Sequence, residues 1–234
     1  MKYMGSKARI AKYILPIMKE YLNGSNYFVD AFCGGCNLID KLDYPNKIAN
    51  DQNQYLIALF SGLLDGEVDK MPYIGKETYM QCRADNSLFT DFQIGYIGFV
   101  CSVNGKFFNG FSGKCETKGG FRDYQSEAKR SLLKSKEALA DVVFTSVNYA
   151  SIVLPSGSVI YCDPPYQNTT SYKGVSFNHE EFWQWCRDMS AKGHKVFVSE
   201  YQAPEDFTCI WEKPVTNSLN TTKTYKPIEK LFTI

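Results

Sequence analysis

Val159-Ile160-Tyr161-Cys162-Asp163-Pro164-Pro165-Tyr166 is an apolar run that ends in a carboxylate, two prolines and an aromatic ring. The four leading residues have the length and β-rich character of a buried strand. Pro164 and Pro165 each fix φ and lack an N–H, so the strand stops there and the local carbonyls are left without ladder partners. The corner is stiff. It presents the Asp163 carboxylate, the Pro164 carbonyl and the Tyr166 ring together at the carboxyl end of a strand, where open α/β sheets bind ligands.

Those groups suit one chemical task, holding a planar exocyclic amine while its nitrogen is alkylated. The carboxylate and the carbonyl can accept the two N–H hydrogen bonds, and the ring can stack on the base. An aromatic amine is a poor nucleophile because its lone pair is conjugated into the ring. Hydrogen bonds directed at a tetrahedral nitrogen localise that pair and strengthen as positive charge develops. Taken by themselves, the same four letters also describe an ordinary proline-rich turn closed by an Asx bond.

Upstream, Tyr27–Phe32 reads as a strand, Cys33-Gly34-Gly35-Cys36 as a tight glycine loop opening into a short helix from Asn37, and Lys47–Asp51 as a second strand with an acidic end. Gln54 to Leu64 is helical in pattern, which completes a βαβ unit. Backbone N–H groups can approach a ligand closely at Gly34 and Gly35, and Asp51 can accept from both hydroxyls of a ribose. Paired glycines alone are more often a plain turn; the acidic strand end favours a nucleotide-type cofactor.

Ser6 is placed as the N-cap of a helix through about Tyr21. Further strands are expected at Val142–Val147, Lys195–Ser199, Phe207–Trp211 and Lys230–Thr233, the last two as an antiparallel edge pair. Asn178-His179-Glu180-Glu181 caps a helix whose buried side carries Phe182, Trp185, Cys186 and Met189 and which stops at Gly193. His179 and His194 sit at helix-end positions, which favours capping over catalysis. The polar run from Gln167 to Gly174 has the composition of a lid.

From Asp65 to Leu139 the strand signal is weak and glycines are dense. Between Lys106 and Lys136 there are eight basic residues against three acidic ones, while the whole chain has a net charge of only +1. Phe107, Phe108, Phe111, Phe121 and Tyr124 are interleaved with those cations. Asn104–Tyr124 is therefore read as a nucleic-acid-binding loop, and Ser126–Leu139 as a solvated basic face over a small helical core.

With 44% hydrophobic residues in 234, the chain can bury a large core. Its cysteines make one close pair, Cys33 and Cys36, and with two histidines a zinc site is not expected. Lysines interrupt the amino-terminal region, and no apolar run reaches the length of a membrane span, so a soluble, reduced, cytoplasmic protein is expected.

The ordered motifs resemble those of the Dam-type DNA adenine-N6 methyltransferases, including short bacteriophage forms, over nearly the whole chain. Tyr3-Met4-Gly5-Ser6-Lys7 is similar to the family's amino-terminal motif, Asp30 to Gly35 to its cofactor motif, Asn50-Asp51 to its ribose step, and Asp163-Pro164-Pro165-Tyr166 to its catalytic tetrapeptide. The resemblance implies an α/β, Rossmann-like, seven-stranded S-adenosylmethionine-dependent methyltransferase sheet. Residues 1–64 and 140–234 would form it, with a mainly helical target-recognition insert at 65–139. It implies S-adenosylmethionine contacts from Tyr3, Lys7, Asp30, Phe32, Gly34, Gly35, Asp51 and Asp163, with Asp163, Pro164, Pro165 and Tyr166 catalytic. DNA contacts fall to Lys106, Asn109, Lys114, Lys118, Arg122 and Tyr124, on double-stranded DNA with the target adenine flipped out, the enzyme acting as a monomer or as a dimer on DNA. Rival readings are a cytosine-N4 or RNA adenine methyltransferase, and a non-catalytic DNA-binding relative. One departure is Cys36, where the family loop has glycine; a positive φ there would strain the loop by about 1 kcal/mol.

Overall fold

The computed structural model describes residues 1–166, 177–214 and 228–234. Its centre is a seven-stranded sheet. In chain order the strands are β1 (Phe28–Asp30) and β2 (Lys47–Asn50), a separate pair β3 (Lys114–Thr117) and β4 (Gly120–Asp123), then β5 (Val142–Thr145), β6 (Val159–Cys162), β7 (Lys195–Glu200), β8 (Thr208–Pro214) and β9 (Ile228–Thr233). The sheet order is β5-β2-β1-β6-β7-β9-β8, parallel except for β9, which runs antiparallel to both of its neighbours. The strand order therefore reverses between β1 and β6, the position where a doubly wound sheet opens a crevice. Asp30 pairs in register with Tyr161 there, and the Ala31 N–H donates to the Tyr161 carbonyl at 2.9 Å. The glycine loop and the Asp-Pro-Pro-Tyr corner thus leave the sheet side by side.

Alternation along the strands feeds two cores. Phe28, Ala49, Tyr161, Phe197 and Leu231 face one side, where helices α1 (Ala11–Lys19) and α2 (Gln54–Leu64) pack with Ile14, Met18, Leu56 and Phe60. Val29, Ile160, Cys162, Val196 and Val198 face the other, against Phe182, Trp185 and Cys186 of a helix over His179–Ala191. Period-2 strands between period-3.6 helices make this three-layer arrangement the one that buries both faces. Local caps agree with it. The Asn53 side chain accepts from the Tyr55 and Leu56 N–H groups, and Asn178 from those of Glu180 and Glu181.

The expected helix from Ser6 is divided. Ser6 caps a 3-10 turn at Lys7–Arg9, Ile10 sits at φ −105°, and α1 begins only at Ala11. That break swings Lys7 toward the sheet.

The segment before β5 is mainly helical, with α3 (Glu67–Lys70), α4 (Lys76–Ala84), α5 (Asp91–Gly95) continuing as π-helix through Val100, and α6 (Tyr124–Leu133). Two expectations for it are corrected. Asn104–Tyr124 is not a continuous loop, because β3 and β4 form a hairpin whose turn is held by Thr117: its Oγ1 donates to the Gly120 carbonyl and accepts from the Gly119 N–H. Phe107, Phe108 and Phe111 are also not offered to a ligand. They pack on Tyr55, Phe99 and Tyr79 in the first core, and of the interleaved rings only Phe121 is mostly exposed, at 63%. Apolar area is better buried than displayed, and these three rings had a core within reach. The run proposed as a lid, 167–174, lies outside the described residues.

Candidate active site

Three chain segments meet beyond the carboxyl ends of β1 and β6. The first is the glycine loop. The Cys33 N–H donates to the Asn50 carbonyl at 2.8 Å, which turns the chain back over β2, and Gly34 and Cys36 both take positive φ, 46° and 55°. For Cys36 this is the left-handed conformation that a side chain disfavours, so the strain expected from its departure from glycine is present. The Gly34 N–H donates to Asp51 Oδ2 at 3.1 Å, and Asp51 Oδ1 accepts from the Asn53 N–H at 2.9 Å. Asp51 therefore binds loop and helix start together, a structural duty beyond its expected ribose contact.

The second segment is the amino terminus. Tyr3 lies against the loop: a Cβ on Gly34 would come within 2.7 Å of its ring, and one on Gly35 within 2.5 Å of its Cβ. Four residues on, Lys7 reaches the third segment, the Asp163–Tyr166 corner. Its Nζ stands 3.0 Å from Asp163 Oδ1, 3.6 Å from Glu229 Oε2 and 4.5 Å from the centre of the Tyr166 ring. The Tyr166 hydroxyl donates to Glu229 Oε2 at 2.7 Å, and its ring meets Tyr201 edge-on at 4.7 Å.

The electrostatics are uneven. Burial pushes the Asp163 carboxyl up to about 6, although Lys7 pulls the other way, while Glu229 adds to the rise. Burial works against the Lys7 charge too, yet Asp163 and Glu229 outweigh it and hold the ammonium above its ordinary range. Asp30 at the end of β1 is almost fully buried, and its Oδ1 has no hydrogen-bond partner among the described residues. Burial first, then the Asp163 charge, drives its carboxyl well up. Asp163 and Glu229 thus share Lys7, and Asp30 lies within electrostatic reach of both Asp163 and Asp51.

A family model for D12 class N6 adenine-specific DNA methyltransferases matches residues 3–231. The chain belongs to this family. Among its relatives, the retron Ec67 DNA adenine methylase of Escherichia coli is 24% identical over 226 residues, covering 85% of this chain and 75% of that one. The DNA adenine methylase of Vibrio cholerae is 25% identical over 209 residues, covering 77% and 72%. A solved methyltransferase complexed with SAH aligns at 11% identity with a TM-score of 0.40, over 98% of this chain and about half (52%) of that one. As a D12 class enzyme the protein transfers a methyl group from S-adenosylmethionine to adenine N6 in DNA, which sets aside the cytosine-N4, RNA and non-catalytic readings.

The residues present fit that cofactor. The loop at Gly34 and Gly35 has no room for a Cβ, the orphaned Asp30 oxygen is an acceptor lacking a donor, and the surplus of carboxylates suits a ligand carrying sulfonium and ammonium charges. Of the residues expected at the cofactor, Tyr3, Gly34, Gly35, Asp51, Lys7, Asp30 and Asp163 fall into this one region. Phe32 is half-buried and packs on Tyr149 and Phe182, on the other side of the sheet.

Of the expected DNA contacts, Lys114, Lys118, Arg122 and Tyr124 gather on and beside the β3–β4 hairpin, whereas Lys106 and Asn109 occupy the preceding turn. Lys118 is exposed at the hairpin tip. Arg122 is already engaged: its Nε donates to Glu127 Oε1 at 2.9 Å and its guanidinium covers Tyr124 at 4.5 Å. Among the described residues no helix is long and apolar enough to cross a membrane and no cluster could hold a metal ion.

Two site residues escaped sequence reading, Glu229 and Tyr201. The available signal was weak. Glu229 alternates with Leu231, so a carboxylate sits on the buried face of a strand.

Proposed function

We propose that Asp163, Pro164 and Tyr166 are the groups that act on the adenine, and that the base is rotated out of duplex DNA to reach them at a cost of about a few kcal/mol. Asp163 accepts one hydrogen of the amine and the Pro164 carbonyl the other, drawing the nitrogen toward a tetrahedral geometry as its charge develops. Tyr166 stacks on the base, and Pro165 keeps the corner stiff. When bound, S-adenosylmethionine supplies a methyl group on a positively charged sulfur. Tyr3, Lys7, Asp30, Gly34, Gly35 and Asp51 would hold it, the glycine loop through its backbone and the acids through charge, whereas Phe32, turned into the second core, would not.

Residues 65–139 read the target through the hairpin, with Lys106, Asn109, Lys114, Lys118, Arg122 and Tyr124 at the DNA, and residues 1–64 with 140–234 carry out the transfer. The observation that supports this most is the convergence of Lys7, Asp163 and Tyr166 at the β1–β6 switch point, next to the glycine loop. The test is methylation of plasmid DNA followed by base-resolution sequencing of the modified positions. Asp163→Ala should abolish transfer and retain DNA binding; near-normal turnover in that variant would overturn the assignment.

A further inference from the structure

Glu229 lies on β9, remote in sequence from every motif above, yet its carboxylate ends inside the site. Oε2 accepts from the Tyr166 hydroxyl at 2.7 Å and stands 3.6 Å from Lys7 Nζ, and the side chain is only 14% exposed. A purely structural role would be pairing with its cross-strand neighbour on β8, Lys213. That lysine is directed elsewhere, with its Nζ 3.7 Å from the centre of the Tyr13 ring. A buried carboxylate that bypasses the adjacent cation to bind a tyrosine hydroxyl is arranged for that tyrosine.

The geometry points to Glu229 as a positioning residue for methyl transfer: it fixes the Tyr166 ring through its hydroxyl and shares Lys7 with Asp163. The inference rests on the roles proposed above for Asp163 and Tyr166. The Tyr166 hydroxyl also bears on Asp163, so Glu229 is not its sole partner, but a phenol that loses its 2.7 Å bond to Glu229 is held less firmly about χ1 and χ2, and a tilted ring stacks poorly on a base held at two hydrogen bonds. Sharing matters equally. Lys7 lies closer to Asp163 than to Glu229, and the second carboxylate draws on the same ammonium, which loosens its hold on the oxygen that must accept from the amine. Glu229 touches no reacting atom in this scheme; it acts through its two neighbours.

The groups facing Asp163 are Lys7 from the amino-terminal turn, Glu229 from β9, Tyr166 from its own corner, Asp30 from β1, Tyr161 from β6 and Tyr201 after β7. Glu229 is the nearby negative charge that raises Asp163, so neutralising it lowers the Asp163 midpoint.

The test compares full-length Glu229→Gln, Tyr166→Phe and the double variant for methyl transfer to plasmid DNA across pH. Each single change should lower kcat roughly ten- to a hundredfold, the effect of removing one hydrogen bond to a charged group. The double variant should lose less than the product of the two single losses, because both changes act on the Tyr166–Glu229 bond. In Glu229→Gln the acid limb should move to lower pH, and carbon-13 titration of Asp163 in the protein alone should show the same downward shift. Wild-type kcat in Glu229→Gln, multiplicative losses in the double variant, or an unmoved acid limb each overturn the inference. Tyr166→Phe, which keeps the ring and all its packing, carries the test if Glu229→Gln folds poorly. Asp163→Ala in the same assay separates the two levels: turnover there defeats the underlying site assignment, whereas a dead Asp163→Ala beside an unaffected Glu229→Gln defeats only the role of Glu229.

Discussion

Lys7 Nζ and Asp163 Oδ1 stand 3.0 Å apart, with both side chains largely withdrawn from water. This pair joins the amino-terminal turn to the carboxyl end of β6, and it sets the charge state of the residue proposed to accept from adenine. An ammonium at that distance favours the ionised carboxyl, and burial favours the neutral one; burial has the larger effect, leaving Asp163 at about 6. Removing the cation must therefore raise it further. Lys7→Met should move the acid limb of methyl transfer upward from about 6 toward neutrality, so activity falls more steeply at pH 6.5 than at pH 8.5. A pH profile of methyl incorporation into DNA checks this. A limb that stays in place would show that Lys7 does not govern Asp163.

The same carboxyl bears on folding. In the unfolded chain an aspartate titrates near 3.9, in the native site near 6, so the native state binds the proton more tightly. Stability supplied by the protonated form is complete below the lower value and is lost as pH rises through the upper one. Asp163→Asn escapes that loss. Its melting temperature should fall less than the wild type's between about pH 4 and pH 7.5, whatever it loses by parting from Lys7 at 3.0 Å. Thermal melts at the two pH values decide it; a fall as large as the wild type's would mean that the Lys7 contact outweighs burial.

Much of this site was legible in the chain. Asp163-Pro164-Pro165-Tyr166 ends its strand because proline cannot continue a ladder, and Asp51 closes the βαβ unit because an acidic strand end after a glycine loop and helix favours that reading over a plain turn. Residues that became visible only in three dimensions share one property: nothing local constrains them. Glu229 belongs to the site because β9 inserts antiparallel between β7 and β8, a pairing that no local pattern dictates. Phe107 and Phe108 looked like surface rings among lysines, but Tyr55 and Phe99, distant or buried in other elements, gave them a core. The β3–β4 hairpin was hidden by short, polar strands whose pairing depends on the Thr117–Gly120 turn.

The glycine loop gives a sharper steric test than its conformation alone. A Cβ on Gly35 would lie 2.5 Å from Tyr3 Cβ and 2.6 Å from Asn37 Nδ2, so alanine there must lift the amino-terminal segment off the loop. Gly35→Ala should weaken S-adenosylmethionine binding about tenfold or more, a loss of about 1.4 kcal/mol, while leaving the sheet intact. Calorimetric titration with the cofactor, alongside circular dichroism, makes the measurement. Unchanged affinity would mean that Tyr3 packs on the loop without bearing on the ligand.

The hairpin cations should not be equivalent at DNA. Lys118 is exposed at the tip, whereas Arg122 is held by Glu127 and laid over Tyr124, so its charge is already partly answered within the protein. Each phosphate contact made by an uncompensated cation adds about 0.9 to the slope of log K against log salt on duplex DNA. Lys118→Ala should therefore reduce that slope by about 1, and Arg122→Ala by clearly less, since the guanidinium exchanges one anion for another. Fluorescence anisotropy with duplex DNA over a range of salt concentrations measures both slopes. If Arg122→Ala gave the larger reduction, its bond to Glu127 would have to open on DNA, and the hairpin would bind through a rearranged ion pair rather than through the charge at its tip.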